Sequence, residues 1–181
     1  MLLKDQFLLA TPSLLGDYFT GALIYVCEHS DEGAMGLIVN RTAELSLPDL
    51  MDQLDLPTLA ELTNVPVLDG GPVGTNQGFV LHRGVHSDTS AMPIANDIYL
   101  SSAMDALRAI ATGQGSGEFL IALGYAGWGA GQLEEEMKAN AWLSVPADPD
   151  VLFRTPLAER ADAAAQQLGF NLSLLAPPGT A

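Results

Sequence analysis

Two apolar runs on either side of a short polar segment place the strongest constraint on how this chain folds. The runs Ala22–Cys27 and Met35–Val39 are rich in β-branched, aromatic and other apolar residues, and residues 28–33 between them are typical of a turn. A hairpin is the simplest arrangement of two such runs. Both runs are apolar at nearly every position, which is typical of strands buried on both faces. The sequence therefore predicts a central sheet that is covered on two sides.

The rest of the chain mixes strand and helix patterns without strict alternation. Boxes that cap a helix begin at Ser46 and Ser102, a third helix is predicted over 132–138, and a last one starts at Thr155. Further strands are predicted over 7–10, 65–68, 78–83, 98–100, 118–123 and 142–145, with a surface loop over 84–96. We therefore predict an α+β (mixed α/β) fold in a single domain over 1–181. Its central mixed, largely antiparallel sheet is packed with about four helices, and its tail frays over about 176–181.

Charge and hydrophobicity together exclude several classes of protein. The 22 acidic residues against 7 lysines and arginines give a net charge of −15, while 48% of the residues are hydrophobic. So apolar a chain is not intrinsically disordered. Seven scattered cations are a poor supply for neutralising phosphates, so direct nucleic-acid binding is not expected. The same shortage argues against binding to anionic membranes.

The cysteine count and the start of the chain bear on location. Cys27 is the only cysteine, so an intramolecular disulfide is impossible, which fits a reducing compartment. Residues 1–6 lack the pattern of a signal peptide, and no apolar run approaches the length of about 20 residues that a membrane span requires. The sequence predicts a cytoplasmic protein, with no membrane partner and no cofactor.

The most unusual stretch is glycine-rich and covers Gly124–Gln132, between a predicted strand and a predicted helix. Such a place can cradle a phosphate, but a dinucleotide fingerprint from Gly127 would need glycine at the position of Gln132. Glu134–Glu136 would also repel a phosphate, and we interpret them as a solvated helix face. The stretch is interpreted as a tight turn beside Trp128, with a ligand or partner surface as the alternative.

Other candidate sites have weaker patterns. Cys27 and His29 would share a face of a regular strand, but a free cysteine is most often buried and structural. His82 and His86 lie four residues apart across Arg83-Gly84, which argues against a helix and so against a shared metal-binding face. No metal site and no catalytic residue is predicted.

The pair Gly70-Gly71 is interpreted as a turn, with a backbone nest for an anion as the alternative. Arg41, just past Asn40, is a candidate partner for a carboxylate.

Three stretches together resemble the YqgE/AlgH family of bacterial proteins. They are CEHSDEGAMGLIVNR (27–41), LDGGPVGTNQGFVLHR (68–83) and LGYAGWGAGQLEEEMKANAWL (123–143), and FLLATPSLLGDYF (7–19) fits as well. The resemblance implies a mixed α/β fold in a cytoplasmic protein, a transcriptional-regulator label for some members, and no agreed catalytic residues. Its motif positions give the predicted binding surface: Glu28, His29, Asn40, Arg41, Gly70, Gly71, His82, Tyr125, Gly127, Trp128 and Gly129. The chain departs from the family pattern at Ala161, where a tryptophan is frequent, and at Gly179-Thr180, where a Gly-His pair is frequent.

Three functions are compatible with these patterns. The first is a non-enzymatic regulatory or interaction module, whose unidentified protein partner would contact the glycine-rich turn with Trp128 exposed. The alternative is a small-molecule binder or an enzyme with a pocket at that turn. Direct DNA binding has the least support, because no basic recognition helix is present.

Overall fold

The computed structural model describes residues 2–12, 17–84, 91–113 and 117–169, and the chain divides into two compact units. The first unit comprises the residues up to Asn40 and those from Ala126 onward, and the second comprises Arg41–Tyr125. Nine strands and five α-helices lie in the described residues: β1 (Gln6–Ala10), β2 (Leu23–Ser30), β3 (Gly33–Ile38), α1 (Leu47–Gln53), β4 (Val67–Asp69), β5 (Val73–Arg83), β6 (Met92–Ala95), β7 (Ile98–Ser102), α2 (Ala103–Ala111), β8 (Phe119–Gly129), α3 (Gln132–Lys138), β9 (Trp142–Pro146), α4 (Pro149–Phe153) and α5 (Arg160–Gln166).

The first unit is built on an antiparallel sheet whose strands lie in the order β8, β3, β2, β1, β9, with only the end of β8 taking part. The predicted hairpin is confirmed as β2 and β3. Residues Leu23–Cys27 are all buried, as expected of a strand covered on both faces. Ile24 and Val26 join a buried cluster with Trp128 and Trp142. The Tyr25 ring instead packs edge to face on Phe7, with the ring centroids 6.1 Å apart.

A β-bulge in β2 decides which side chains of the hairpin are buried. Val26 pairs with Gly36 and Glu28 pairs with Met35, so Cys27 lies opposite no residue of β3. Such an extra residue shifts the side-chain alternation by one position. The His29 side chain therefore lies on the same face of the sheet as that of Val26. In a regular strand Glu28 would occupy that face and His29 the opposite one. His29 is buried, while Glu28 is exposed.

The second unit contains β6, β7, β5 and the first part of β8 as antiparallel neighbours, and β4 pairs with β8 in parallel. Helices α1 and α2 contribute apolar side chains to its core, which includes Val80 and Ile121. Both predicted caps are confirmed, since the Ser46 and Ser102 hydroxyls accept hydrogen bonds from the backbone N–H groups of Asp49 and Asp105. The predicted mixed, largely antiparallel α+β fold is thereby confirmed, whereas one domain over 1–181 stays a prediction.

Three predicted elements differ in the structure. The glycine-rich stretch is not a turn up to Gly129, because it forms the second half of strand β8. Within the predicted loop 84–96 the structure has strand β6, and residues 85–90 lie outside the described part. The last helix begins with a 3-10 turn at Leu157–Glu159 and becomes α-helical only from Arg160. Helix α4 was not predicted, and the tail predicted to fray over 176–181 lies outside the described residues.

Glycine is required in β8 where backbones approach closely. Gly124 has a φ of +77°, and a Cβ there would collide with the Gly71 carbonyl oxygen. At the other end of the strand, a Cβ on Gly33 would collide with the Trp128 carbonyl oxygen. Gly124, one of the glycines that favoured a turn in the sequence, thus serves close strand pairing, as Gly33 does on β3.

Candidate functional site

A cleft of about 410 Å³ opens in the first unit beside the β2–β3 hairpin, and we call it the hairpin cleft. Its walls come from both strands of the hairpin, from β8 and from the segment before β1. The lining residues are Lys4, Glu28, His29, Ser30, Glu32, Gly33, Ala34, Met35 and Trp128. Three members of the predicted binding surface, Glu28, His29 and Trp128, are therefore brought together.

His29, Ala34 and Trp128 form one row across the three strands of the cleft, because Ala34 pairs with each of the other two. Gly127 and Gly129 of the predicted surface pair with Met35 and Gly33 on the same strands. These two glycines contribute backbone next to the cleft.

Both ring nitrogens of His29 are engaged. The Leu3 backbone N–H donates to Nδ1 at 2.9 Å, so this nitrogen carries a lone pair and the proton of the neutral ring is on Nε2. Nε2–H donates to the Glu134 carboxylate. The His29 side chain is only 2% exposed, so these two bonds fix the ring between the N-terminal segment and helix α3.

Glu134 remains partly in contact with water, with 39% of its side chain exposed. The hydrogen bond from His29 lowers the pKa of its carboxyl, and the backbone N–H of Glu134 adds to this effect. The carboxylate is therefore fully ionised near neutral pH.

A second carboxylate, Glu136, ties both tryptophans of the chain to helix α3. Its Oε2 accepts hydrogen bonds from Trp128 Nε1 and Trp142 Nε1, each at 2.8 Å. Its Oε1 accepts from Gln132 Nε2 at 3.2 Å, and Gln132 in turn accepts from the Gly129 N–H. Buried indoles need an acceptor, and this carboxylate serves two of them.

These contacts correct two predictions. Trp128 is 7% exposed and belongs to the buried cluster, so it is not the exposed aromatic of a turn. The solvated face predicted for Glu134–Glu136 is wrong for Glu134 and Glu136, which are half-buried and hydrogen-bonded, whereas Glu135 is exposed. Two buried tryptophans needing acceptors were the signal in the sequence that could have identified Glu136.

Cys27 is structural, as predicted. It is fully buried, its Sγ donates to the Tyr25 carbonyl oxygen at 3.7 Å, and burial raises the pKa of its thiol. A nucleophilic pair with His29 is ruled out by the ring's two existing hydrogen bonds. The bulge also removes the shared-face geometry on which that pair depended.

Asn40 joins two backbone segments in the first unit. Its Oδ1 accepts from the Leu23 N–H and its Nδ2 donates to the Gly21 carbonyl oxygen, each at 2.9 Å. Both ends of the amide are therefore used where β3 ends and β2 begins.

Four further members of the predicted surface belong to the second unit and do not line the hairpin cleft. The Gly70 N–H donates to the Leu123 carbonyl oxygen and the Gly71 N–H to Asp69 Oδ1, so the alternative of an anion nest at these two groups is wrong. The Arg41 carbonyl oxygen accepts from the Asp69 N–H. The Tyr125 ring packs edge to face on Phe79, with the ring centroids 5.9 Å apart.

His82, the fifth predicted residue in the second unit, is a core histidine. It is fully buried, with Nε2 2.8 Å from the Ser101 hydroxyl and Nδ1 3.2 Å from the Gly84 carbonyl oxygen. Its ring stacks on Tyr99 at an interplanar angle of 14°. Across the described ranges, no three His, Cys, Asp or Glu side chains are grouped as metal ligands, and His86 lies outside those ranges.

Comparison with known proteins identifies the relatives of this chain. The sequence profile of the AlgH-like family matches residues 7–173. The chain belongs to the AlgH-like family.

Relatives and solved structures agree with this membership. A UPF0301 protein of Nitrosospira multiformis is 46% identical over 174 residues, covering 96% of this chain and 94% of its own. A UPF0301 protein of Saccharophagus degradans is 47% identical, covering 96% of this chain and 85% of its own. The solution structure of the AlgH protein from Pseudomonas aeruginosa superimposes with a TM-score of 0.83 at 45% identity, covering 100% of this chain and 97% of that one.

The fold of the AlgH-like family extends to more distant sequences. Protein DIP2367 from Corynebacterium diphtheriae has a TM-score of 0.76 at 17% identity, covering 98% of this chain and 93% of that one. At this identity the likeness concerns the fold alone. In the described part of this AlgH-like chain, no helix is long and apolar enough to span a membrane.

The hairpin cleft of this AlgH-like chain also contains residues that the sequence did not single out. Lys4 and Glu32 line it, and Met35 forms part of its apolar surface. Ala161 and Arg160, at the departure from the family pattern, lie at the start of α5, where the buried Arg160 Nη1 donates to the Val39 carbonyl oxygen at 2.6 Å.

Proposed function

We propose that this AlgH-like protein is a non-enzymatic interaction module that binds a protein partner at the hairpin cleft. The observation that carries the proposal is a contrast within the cleft. Its lining residues Glu28, Ser30 and Glu32 are exposed, while the reactive group among the lining residues, His29, is hydrogen-bonded internally at both ring nitrogens. A general acid or base must have a nitrogen within reach of a substrate.

The other candidates for covalent or proton-transfer chemistry are equally engaged. The Cys27 thiol is buried and its pKa is raised, so it is a poor source of thiolate. His82 is buried between a hydroxyl and a carbonyl oxygen in the second unit. These surroundings favour binding over catalysis.

The proposed setting is the bacterial cytoplasm. The lone, buried Cys27 is compatible with a reducing compartment, because it makes no disulfide within the chain.

Site-directed cross-linking in living cells tests the proposal. A photo-cross-linking amino acid at exposed Ser30 should yield a discrete adduct with one protein, and the same amino acid at exposed Asp52 in the second unit should not. The partner is then identified by mass spectrometry and purified.

Calorimetry with the purified partner completes the test. Met35→Glu, which places a charge in the cleft, should weaken binding about tenfold or more. Met104→Glu changes a similarly half-buried methionine of the second unit and should leave the affinity unchanged. Equal loss in both variants, or no adduct at Ser30, would contradict the proposed function.

A small-molecule ligand is the second candidate function for the cleft. The observation in its favour is the volume of about 410 Å³, which falls within the range of about 300–1,000 Å³ typical of ligand sites. Mass spectrometry under native conditions on protein purified from its own cells distinguishes the two, because a small ligand would appear as an added mass below that of any protein.

A further inference from the structure

The hydrogen bond between the Leu3 backbone and His29 can form only while the imidazole is neutral. The Leu3 N–H donates to Nδ1 at 2.9 Å, and this bond is buried. A protonated imidazole carries a hydrogen on both ring nitrogens, so Nδ1 would then turn a donor toward a donor. Protonation of His29 and its bond to Leu3 therefore exclude each other.

The other ring nitrogen lies beside a group that favours a proton on the ring. Nε2–H donates to the Glu134 carboxylate. The hydrogen bond from His29 lowers the pKa of that carboxyl, so the carboxylate keeps its charge between about pH 5 and pH 8, where imidazoles ordinarily titrate. A negative charge at this distance stabilises an imidazolium. The ring thus lies between a carboxylate that favours its protonation and a backbone N–H that opposes it.

Other charges around the ring are not hydrogen-bonded to it. The further charged residues that line the hairpin cleft belong to the N-terminal segment and the hairpin: Lys4, Glu28 and Glu32. The further charged side chains of α3 are bonded to one another or to the indoles: Glu135, Glu136 and Lys138. The neighbouring strands place Ala34 and Trp128 beside His29, and neither titrates. The charge at the amino terminus acts on Glu134.

The N-terminal segment has a second attachment that does not involve His29. The Asp5 N–H donates to the Val26 carbonyl oxygen at 3.0 Å, and Asp5 Oδ1 accepts from the Tyr25 hydroxyl at 2.8 Å. Asp5 also has a φ of +62°, which ends the segment in a turn. Loss of the Leu3 bond therefore leaves the chain attached from Asp5 onward, and residues 2–4 can move about that position.

We propose that His29 is a pH-dependent switch for residues 2–4, whose neutral ring holds the Leu3 backbone and whose protonated ring keeps Glu134 and releases Leu3. The released form binds one more proton than the attached form, so acidification favours release, by up to about tenfold per pH unit. Because Lys4 lines the hairpin cleft, release removes part of one wall of the cleft. The switch goes beyond the proposed function, since it operates without a partner.

An NMR titration of the ¹⁵N-labelled full chain from about pH 8 to about pH 5.5 tests the switch. The imidazole nitrogens of His29 report protonation, and the Leu3 amide reports the hydrogen bond. Both signals should change with one shared midpoint. Hydrogen exchange at the Leu3 amide, corrected for the intrinsic effect of pH, should accelerate at least about tenfold. The Asp5 amide should keep its protection, because its acceptor does not titrate.

Three variants separate the switch from general acid effects. His29→Asn offers an acceptor that does not titrate, so its Leu3 amide should be insensitive to pH over this range. Glu134→Gln removes the charge that favours the imidazolium and should move the shared midpoint to lower pH. Glu135→Gln removes an exposed carboxylate of the same helix and should leave the midpoint in place.

The unaltered chain alone can overturn the inference. A ring that protonates while the Leu3 amide stays unchanged would show that the two events do not exclude each other. A ring still neutral at the lowest pH, or a Leu3 amide that responds equally in His29→Asn, would show that His29 does not control the segment. These results leave the interaction module untouched, since cross-linking at Ser30 tests the module separately.

Discussion

His29 and His82 are both buried histidines on strands, yet their surroundings differ. His29 lines the hairpin cleft and donates a hydrogen bond to a partly exposed carboxylate, that of Glu134. His82 is enclosed, with a hydroxyl, a carbonyl oxygen and a stacked tyrosine around it. The His29 ring is hydrogen-bonded to a group that contacts solvent, whereas the described contacts of the His82 ring are with groups inside the second unit.

The difference shows that a buried imidazole can have two separate tasks in one chain. The contacts of His82 are those of a packed core residue. Replacing it should therefore lower the free energy of unfolding, because a cavity forms and internal hydrogen bonds are lost. The hydrogen bonds of His29, which is in β2, connect this strand to Leu3 and to helix α3. Replacing His29 should therefore weaken the attachment of the N-terminal segment and of α3 to β2.

The largest loss of stability is expected when His82 is replaced. His82→Ala leaves a cavity and removes the partner of the buried Ser101 hydroxyl, and should lower the free energy of unfolding by about 3 kcal/mol. Denaturant titration followed by circular dichroism measures it. A loss no greater than that of His29→Ala would show that the two rings do not differ as proposed.

A smaller effect is expected at His29. His29→Ala leaves the buried Leu3 N–H without an acceptor and should cost about 2 kcal/mol. His29→Asn supplies an oxygen near the position of Nδ1 and should recover part of this loss. Hydrogen exchange at the Leu3 amide should accelerate in the alanine variant and less in the asparagine variant; equal exchange in both would argue against the Nδ1 contact.

The smallest effect is expected in the pH dependence of stability, which tests the hydrogen bond between His29 and Glu134. Because the pKa of Glu134 is lower in the folded chain than its ordinary value of about 4.3, its ionised form stabilises the fold above that value. This stabilisation is lost as the pH falls through the lower, folded pKa. The difference in unfolding free energy between the unaltered chain and Glu134→Gln should therefore shrink on acidification from pH 6.

Glu135→Gln is the matched control for this titration. Glu135 is exposed and, within the part of the chain that the structure describes, pairs only with the exposed Lys138, so its variant should follow the unaltered chain across the same pH range. A difference for Glu134→Gln that stays constant with pH would show that the His29 contact does not depend on the charge of Glu134.

Features set by near neighbours in the sequence could be predicted. The caps at Ser46 and Ser102 depend on a residue three positions later, and the hairpin depends on two adjacent apolar runs. These interactions are complete within a few residues, so their patterns are visible without the fold.

The bulge at Cys27 could not be predicted in this way. Its existence depends on which residue of β3 lies opposite each residue of β2, and that register is a property of the sheet. A regular alternation would have exposed His29 and buried Glu28, which is the reverse of what the structure has.

The glycine-rich stretch was misinterpreted because glycine favours turns and close strand approach alike. The alternation of Ala126 and Trp128, both buried, with Gly127 and Gly129, both exposed, was a period-two signal for a strand. Of the cleft, the sequence identified Glu28, His29 and Trp128, whereas Lys4 joins them through the fold from a segment more than twenty positions away.

The shared carboxylate of Glu136 has an optical consequence. Both tryptophans of the chain donate to it, and both belong to the first unit. Selectively excited tryptophan emission is therefore a label-free signal of that unit alone, since the second unit has tyrosines and no indole. Detachment of helix α3 would change the hydrogen bonding of both fluorophores at once, so one emission spectrum can follow its docking in real time.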